Sequence, residues 1–415
     1  LFIFTTTKFY FMQCTTLAKI LLIAGVAAVF SCNTKTPDKQ AASGTDNTKA
    51  NTGYKPAFAG QTRIKAVTTT TPYTVEKIAE NLGRPWAIIP LPDGRLMITE
   101  KSGFITIRSA DGALIKKITG LPPVDDRGQG GLLDVALDPD FAKNKIIYWS
   151  FSEKVDTGNL TAVAKGELNE ADSSVHNPTV IFQATPSLKS ENHFGSRLAF
   201  DKDGNLFVSA GERSILPGRA QAQLLTSGLG KIFKITKEGK PAPGNPFLNQ
   251  PDVKPEIYSY GHRNPQGIDI NPVTGDVWEV EFGPRGGDEL NLIKPGKNYG
   301  WPVITYGIEY DGPKIGDGIQ QKEGMEQPVY YWDPVASPSG IVFYTGDAIP
   351  EWKNNLFIAC LSSLHIDRLV IENNKVVGEE MLLLDKKERF RDVAQMDGKL
   401  YAVTDGGLLF RISKK

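Results

Sequence analysis

The sequence predicts an all-β chain folded as a six-bladed β-propeller, and three observations lead there. One phrase, a turn carrying Asp or Gly followed by an apolar strand, recurs six times: PDGRLMITE (92–100), DPDFAKNKIIYWSF (138–151), DKDGNLFVSAGE (201–212), NPVTGDVWEVEF (271–282), GDAIPEWKNNLFIACL (346–361) and MDGKLYAVTD (396–405). With Leu96, Ile147, Leu206, Val277, Leu356 and Leu400 as equivalent positions, the recurrences lie about 44 to 79 residues apart. Such spacings fit propeller repeats of ~40–50 residues lengthened by inserted loops. No sustained helical period follows Thr71, and 41 Gly with 27 Pro suit many short strands closed by turns.

From the start of the chain, residues 17–30 form an apolar run with Lys19 at its leading edge. The run is shorter than the ~20 residues of a membrane span and reads as the core of an export signal opened by Met12. It ends in Val29-Phe30-Ser31-Cys32, which resembles a bacterial lipobox, so residues 1–32 are expected to be a lipoprotein signal with Cys32 as the lipidated residue; plain secretion is the alternative. Residues 33–71 are rich in Thr, Lys, Ala and Asn, with few large apolar groups to offset the cost of ordering, and are expected to be a disordered tether. Residues 72–415 form the propeller domain. Its longest repeat spacings place inserted loops near blades three to five, and the last strand, 408–413, is expected to close the ring against residues 73–78. Within the domain Cys360 is the only cysteine, read as a buried thiol, and with no CxxC, HExxH or spaced Cys/His set a zinc site is not expected. Lys+Arg and Asp+Glu both number 47, so no net field favours nucleic acid or an acidic membrane surface.

Chemistry-bearing residues gather in four stretches. GHRNPQG (261–267) presents Arg263 and Asn264 on a kinked loop, and GPRGGDE (283–289) packs glycines beside Arg285, Asp288 and Glu289, as where backbone approaches an ion or ligand. ENHFGSRLAFDKDG (191–204) sets His193 just before a strand, where a lone histidine is more often structural than a general base. DDRGQGGLLDVALDPDF (125–141) offers Gln129 on a Gly-rich turn, which by itself is a tight connection between blades. ERFRDV (388–393) puts Arg389 and Arg391 two apart, on one face if this is a strand; paired guanidinium forks suit carboxylates, and a solvated basic face is the plainer reading. Glu279 and Glu281 in WEVEFG could be read as a glycosidase acid pair, but their spacing reads better as a feature of the fold. GLGKIF (228–233) is a fragment of a dinucleotide fingerprint with no helix to follow, and NAD is set aside.

Taken together, GHRNPQG, GPRGGDE and NYGWP resemble the soluble quinoprotein sugar dehydrogenases of glucose/sorbosone type, closest to the aldose sugar dehydrogenase branch, over residues 82–412. The resemblance implies an enzyme that uses pyrroloquinoline quinone (PQQ) and calcium to oxidise the anomeric carbon of an aldose to a lactone. It implies that His193 is the base and Arg263 the group that meets charge growing on the quinone. Gln129, Arg263, Asn264, Arg389 and Arg391 would then contact the cofactor, with Tyr310 of GIEYDG at its rim. Gly283 and Pro284 would offer carbonyls to one calcium, and Glu289 and Tyr299 would belong to a second. Two departures stand out. Asn192 precedes His193 where some relatives carry an acid, and Leu361-Ser362-Ser363 follows LFIACL where relatives place a lysine that helps hold the cofactor. The expected partners are an aldose, an unidentified electron acceptor and a membrane reached only through the lipid anchor, with the protein a monomer or homodimer on the periplasmic or cell-surface side. Two other classes remain open: a non-catalytic propeller binding carbohydrate or protein on the same face, and a calcium-dependent lactonase, for which no acid cluster is evident.

Overall fold

The computed structural model describes residues 48–415; the signal with Cys32, and residues 33–47 of the tether, lie outside the described residues. Six four-stranded antiparallel sheets follow one another along the chain, as blades spanning 85–118, 132–183, 198–260, 265–332, 338–382 and, for the sixth, 390–414. The sixth blade takes its outermost strand from the other end of the domain. Tyr73–Ala79 pairs antiparallel with Leu409–Lys414, Tyr73 opposite Lys414 and Val75 opposite Ile412, so the ring closes as the pattern of residues 408–413 and 73–78 implies. Each of the six recurring phrases supplies the second strand of a blade: Leu96–Glu100, Ile146–Val155, Leu206–Ala210, Val277–Glu281, Leu356–Cys360 and Lys399–Thr404. These strands are the most apolar because they are covered on both faces by neighbouring blades; Leu96, Ile147, Leu206, Leu356 and Leu400 are fully buried. The long insertions fall in blades 3 and 4, between strands at 211–230, 236–256 and 294–329, and not in blade 5.

The innermost strands meet around the ring through buried ion pairs. Arg197, at the entry to blade 3, lies 3.3 Å from Asp134 of blade 2 and 3.2 Å from Asp392 of blade 6. Its guanidinium stacks 4.2 Å from the Trp86 ring of blade 1, and its Nε donates to the Gln266 carbonyl of blade 4. The aspartates reach sideways as well: Asp392 accepts the Ile88 amide, Asp134 the Leu198 amide and Asp269 the Phe343 amide, so three of the six seams are stitched by a carboxylate on a main-chain N–H. Burial raises Asp134 and Asp269 to about 6. Blade 5 approaches this hub through Gly340, where a Cβ would lie 1.5 Å from Asp392 Oδ1. In five of the six blades, pairing of the innermost strand slips near its first residues, as at Pro85/Ile88, Leu132/Val135 and Phe390/Asp392. Such bulges re-aim the side chains that face one mouth of the channel.

Residues 48–71 differ from the tether their composition suggests. Asn51 and Thr52 donate to Asp333, Gln61 is fully buried between Pro328 and Tyr331, and Thr69 donates twice to Glu380. The segment has little apolar surface of its own, but its polar groups find buried partners on blades 4 and 5, which offsets the ordering cost.

Candidate active site

One mouth of the channel opens into a cavity of about 240 Å³. Every blade contributes: Arg84, Trp86 and Lys101 from blade 1, Gln129 ahead of blade 2, Phe194 ahead of blade 3, Gln266 of blade 4, Leu361 of blade 5, and Arg389, Arg391 and Asp405 of blade 6. The two arginines share a face, as their spacing predicts. Arg389 Nε reaches Asp405 Oδ2 at 3.0 Å, and Arg391 holds both oxygens at 2.8 and 3.2 Å. Lys101 Nζ donates to the Gly128 carbonyl at 2.7 Å. Burial, with the nearby charges of Arg391 and Arg84, brings Lys101 down to about 8. Four cations thus face the cavity against one carboxylate. Neither Lys101 nor Asp405 was singled out by motif, although both sit directly after the second strand of a blade. Ser362 and Ser363 bring no charge here, yet an ammonium reaches the cavity from blade 1 instead.

His193 lies at the neighbouring wall in a left-handed backbone conformation, φ 50°. Its amide donates to Gln129 Oε1 at 2.9 Å, and its Nδ1 bonds Glu212 Oε1 at 2.7 Å, both side chains being almost wholly buried. Glu212 therefore supplies the acidic partner that Asn192 does not; no motif marks it, because it lies 19 residues away, beyond the next two strands. Gly211 allows that approach, since a Cβ there would stand 2.4 Å from the His193 carbonyl. Burial, and next the charge of Arg263, push the imidazole down to about 4 against the pull of Glu212. With Nδ1 engaged, Nε2 is the nitrogen left to take a proton.

Arg263 and Asn264 are fixed by Glu281, whose Oε2 accepts both their amides at 2.5 and 3.2 Å. Arg263 Nη1 donates to the carbonyls of Phe282 and Gly283, its guanidinium lies 5.2 Å from the Trp301 ring, and Nη2 is 3.4 Å from the hydroxyl of Tyr310, itself mostly exposed at the rim. Asn264 Oδ1 accepts the Gly195 amide, leaving Nδ2 buried without a partner. Gly283, Pro284, Glu289 and Tyr299 line a second, ion-sized cavity of about 10 Å³ together with Glu281. The Tyr299 hydroxyl is turned away, donating to Leu292 O and accepting from Lys294 N, so this side chain is not a donor to the cavity. Cross-strand register puts Glu281 opposite Glu289 and Glu279 opposite Asn291, and the three carboxylates converge on the Asn291 amide. Burial and mutual repulsion hold Glu279 and Glu289 well above the usual carboxylate range. Glu279 and Glu281 are thus part of a buried acidic cluster rather than an open acid pair. Lys231 of GLGKIF begins a strand, and its buried Nζ donates to three carbonyls.

The chain is thus a closed six-bladed propeller that sets a buried histidine–carboxylate pair beside a cationic cavity at one mouth of its channel. The chain belongs to the glucose/sorbosone dehydrogenase family, whose profile matches residues 82–411. It is 41% identical over 347 residues to an aldose sugar dehydrogenase of Escherichia coli strain K12, covering 82% of this chain and 93% of the relative. The crystal structure of the soluble aldose sugar dehydrogenase from Escherichia coli in its apo form superposes with a TM-score of 0.79 at 40% identity, over 83% of this chain and all (100%) of that one. The PQQ-bound aldose sugar dehydrogenase of Streptomyces coelicolor superposes at 0.66 and 29% identity, over 83% of this chain and 99% of its own.

Proposed function

We propose that this protein is a quinoprotein aldose dehydrogenase that oxidises the anomeric carbon of a sugar to the lactone. The observation that carries the reading is the His193–Glu212 pair beside a cavity in which four cations face one carboxylate. That charge excess suits a polycarboxylate such as PQQ: Arg389, Arg391 and Lys101 would hold carboxylates, with Gln129 and the unpartnered amide of Asn264 as further contacts. When bound, PQQ supplies the two-electron acceptor that takes hydride from the anomeric carbon. His193 Nε2 takes the proton from the anomeric hydroxyl, and Glu212 steadies the imidazolium that results. Arg263, already held by two carbonyls, meets negative charge growing on the acceptor without having to move. The oxygen-rich donor set at the small cavity suits a hard cation, and the unpartnered Oε1 of Glu279 and Oδ1 of Asn291 mark unmet demand beside it. One calcium would be held by the carbonyls of Gly283 and Pro284 and would add Lewis-acid polarisation near the cofactor, and a second, structural one would be held by Glu289 with Tyr299 contributing through its main chain.

The electrons then pass to a separate acceptor, and the domain works outside the cytoplasm on a lipid anchor at Cys32. Among the described residues no helix is long and apolar enough to cross a membrane. The test is direct: titrate the protein with PQQ and calcium, then assay an aldose panel with an artificial dye. His193→Gln should bind the cofactor almost normally and lose about 10²–10⁴ in rate. A wild type that binds PQQ but oxidises no sugar would support the binding-module reading, and a fully active His193→Gln would remove the histidine from the mechanism.

A further inference from the structure

In blade 5, away from the histidine and the acidic cluster, three metal-ligating side chains meet in the interior. Cys360 ends the strand Leu356–Cys360, and His365 immediately precedes the strand Ile366–Glu372, which contains Asp367. The Cys360 amide donates to the His365 carbonyl and Ile358 pairs with Asp367, so the antiparallel register turns all three side chains to one face of the hairpin. Cys360 and Asp367 are fully buried and His365 is 3% exposed. One ligand atom from each lies within 4.8 Å of the others.

Two details separate this group from an ordinary buried polar cluster. His365 Nδ1 lies 3.0 Å from the Ser363 carbonyl, which fixes the N–H on that nitrogen and leaves Nε2 with its lone pair inward. Nε2 has no hydrogen-bond partner, and neither has Asp367 Oδ1, 3.6 Å away, which is too long for a hydrogen bond. Meanwhile Asp367 Oδ2 is anchored by the Trp332 indole N–H at 3.0 Å. A histidine locked through its far nitrogen and a carboxylate locked through its far oxygen, both aimed at one point beside a thiol, are an outer shell in place around an inner one.

We propose that Cys360, His365 and Asp367 bind a zinc-like divalent transition-metal ion that clips the β-hairpin of blade 5. Sulfur, nitrogen and oxygen donors in one set favour zinc or a similar first-row ion over calcium, which prefers oxygen alone. Tetrahedral zinc places such ligands about 3.3–3.6 Å apart; the His365–Asp367 separation of 3.6 Å already fits, and the Cys360 sulfur lies within 4.8 Å of both. Without a metal, a proton on His365 meets part of the same demand: burial opposes the imidazolium, but Asp367 outweighs it and holds the histidine above its ordinary value. Burial likewise keeps the Cys360 thiol protonated, and zinc would displace both protons. The clipped turn carries Leu361, which lines the cationic cavity and whose carbonyl accepts from Arg389. The ion would therefore stiffen one wall of the active site without touching the substrate.

The experiment uses the full chain, refolded with zinc or cobalt, freed of loosely held metal and analysed by elemental mass spectrometry and absorbance. One retained equivalent is expected, with a thiolate-to-cobalt charge-transfer band in the cobalt form; cobalt held by the carboxylates of blade 4 gives no such band. The band should vanish in Cys360→Ser and persist in Cys14→Ser and Cys32→Ser. His365→Gln, which conserves volume should the serine variant fail to fold, should weaken cobalt binding at least tenfold. A wild type that retains no stoichiometric metal and shows no band, or a band that survives in Cys360→Ser, would overturn the proposal.

Discussion

Glu212→Gln tests the chemistry of the site most sharply, because it removes a charge while keeping volume and an acceptor for His193 Nδ1. Glu212 is 1% exposed, so its interaction with the imidazole across 2.7 Å is hardly screened. A hydrogen bond to a charged group contributes about 1.5–3 kcal/mol and a neutral one about 0.5–1.5 kcal/mol. The exchange therefore removes about 1 kcal/mol of support from the imidazolium in the transition state, roughly fivefold in rate. Glu212→Leu, which also frees the ring to turn, should lose far more, on the order of 10²–10⁴. The pH profile separates this role from simple scaffolding. His193 must be neutral to act, so activity is present above its pKa and lost as pH falls through about 4. Glu212 raises that pKa, so removing its charge should shift the acid limb to lower pH while the plateau drops. The assay is dye reduction with an active aldose from pH 3 to 8, after loading with PQQ and calcium. A Glu212→Gln enzyme with native plateau and native acid limb would refute the coupling.

Three further outcomes follow from the same geometry. Replacing Arg389 and Arg391 together by Ala should weaken PQQ binding at least tenfold, read by absorbance titration, since each charge-assisted bond contributes about 1.5–3 kcal/mol; equal affinity would remove the pair from the site. Lys101 is charged below about pH 8 and neutral above it, so native PQQ affinity should fall as pH rises through that region, and Lys101→Ala should bind more weakly and lack the step; an identical step in the variant would assign it elsewhere. Arg197→Met leaves Asp134 and Asp392 buried without their cation and should destabilise the fold by about 3–5 kcal/mol in denaturant titration; an unchanged midpoint would mean the hub is dispensable.

The sequence by itself determined the propeller, because each blade needs one strand that is apolar on both faces, and that demand writes the same short phrase six times. It also determined ring closure, since Tyr73–Ala79 and Leu409–Lys414 are the strands left at the two ends of the pattern. Arg389 and Arg391 were legible because neighbours in sequence stay neighbours on a strand, whereas Gln129 and His193, 64 residues apart, are each marked by their own motif and meet only in the fold. Tertiary structure alone decided what each of these groups faces. In an antiparallel blade the start of the innermost strand and the end of the second strand lie at the same edge, so Lys101, Glu212 and Asp405 arrive at the channel mouth from positions that no functional motif marks, and Glu281, read from sequence as a feature of the fold, arrives with them. The same register brings Cys360, His365 and Asp367 together, and opposes Glu281 to Glu289. Residues 48–71 show the converse. Their composition gives no reason to fold, and they are ordered because Asp333, Glu380 and the Pro328 carbonyl, hundreds of residues away, present partners that only the closed ring can hold in place.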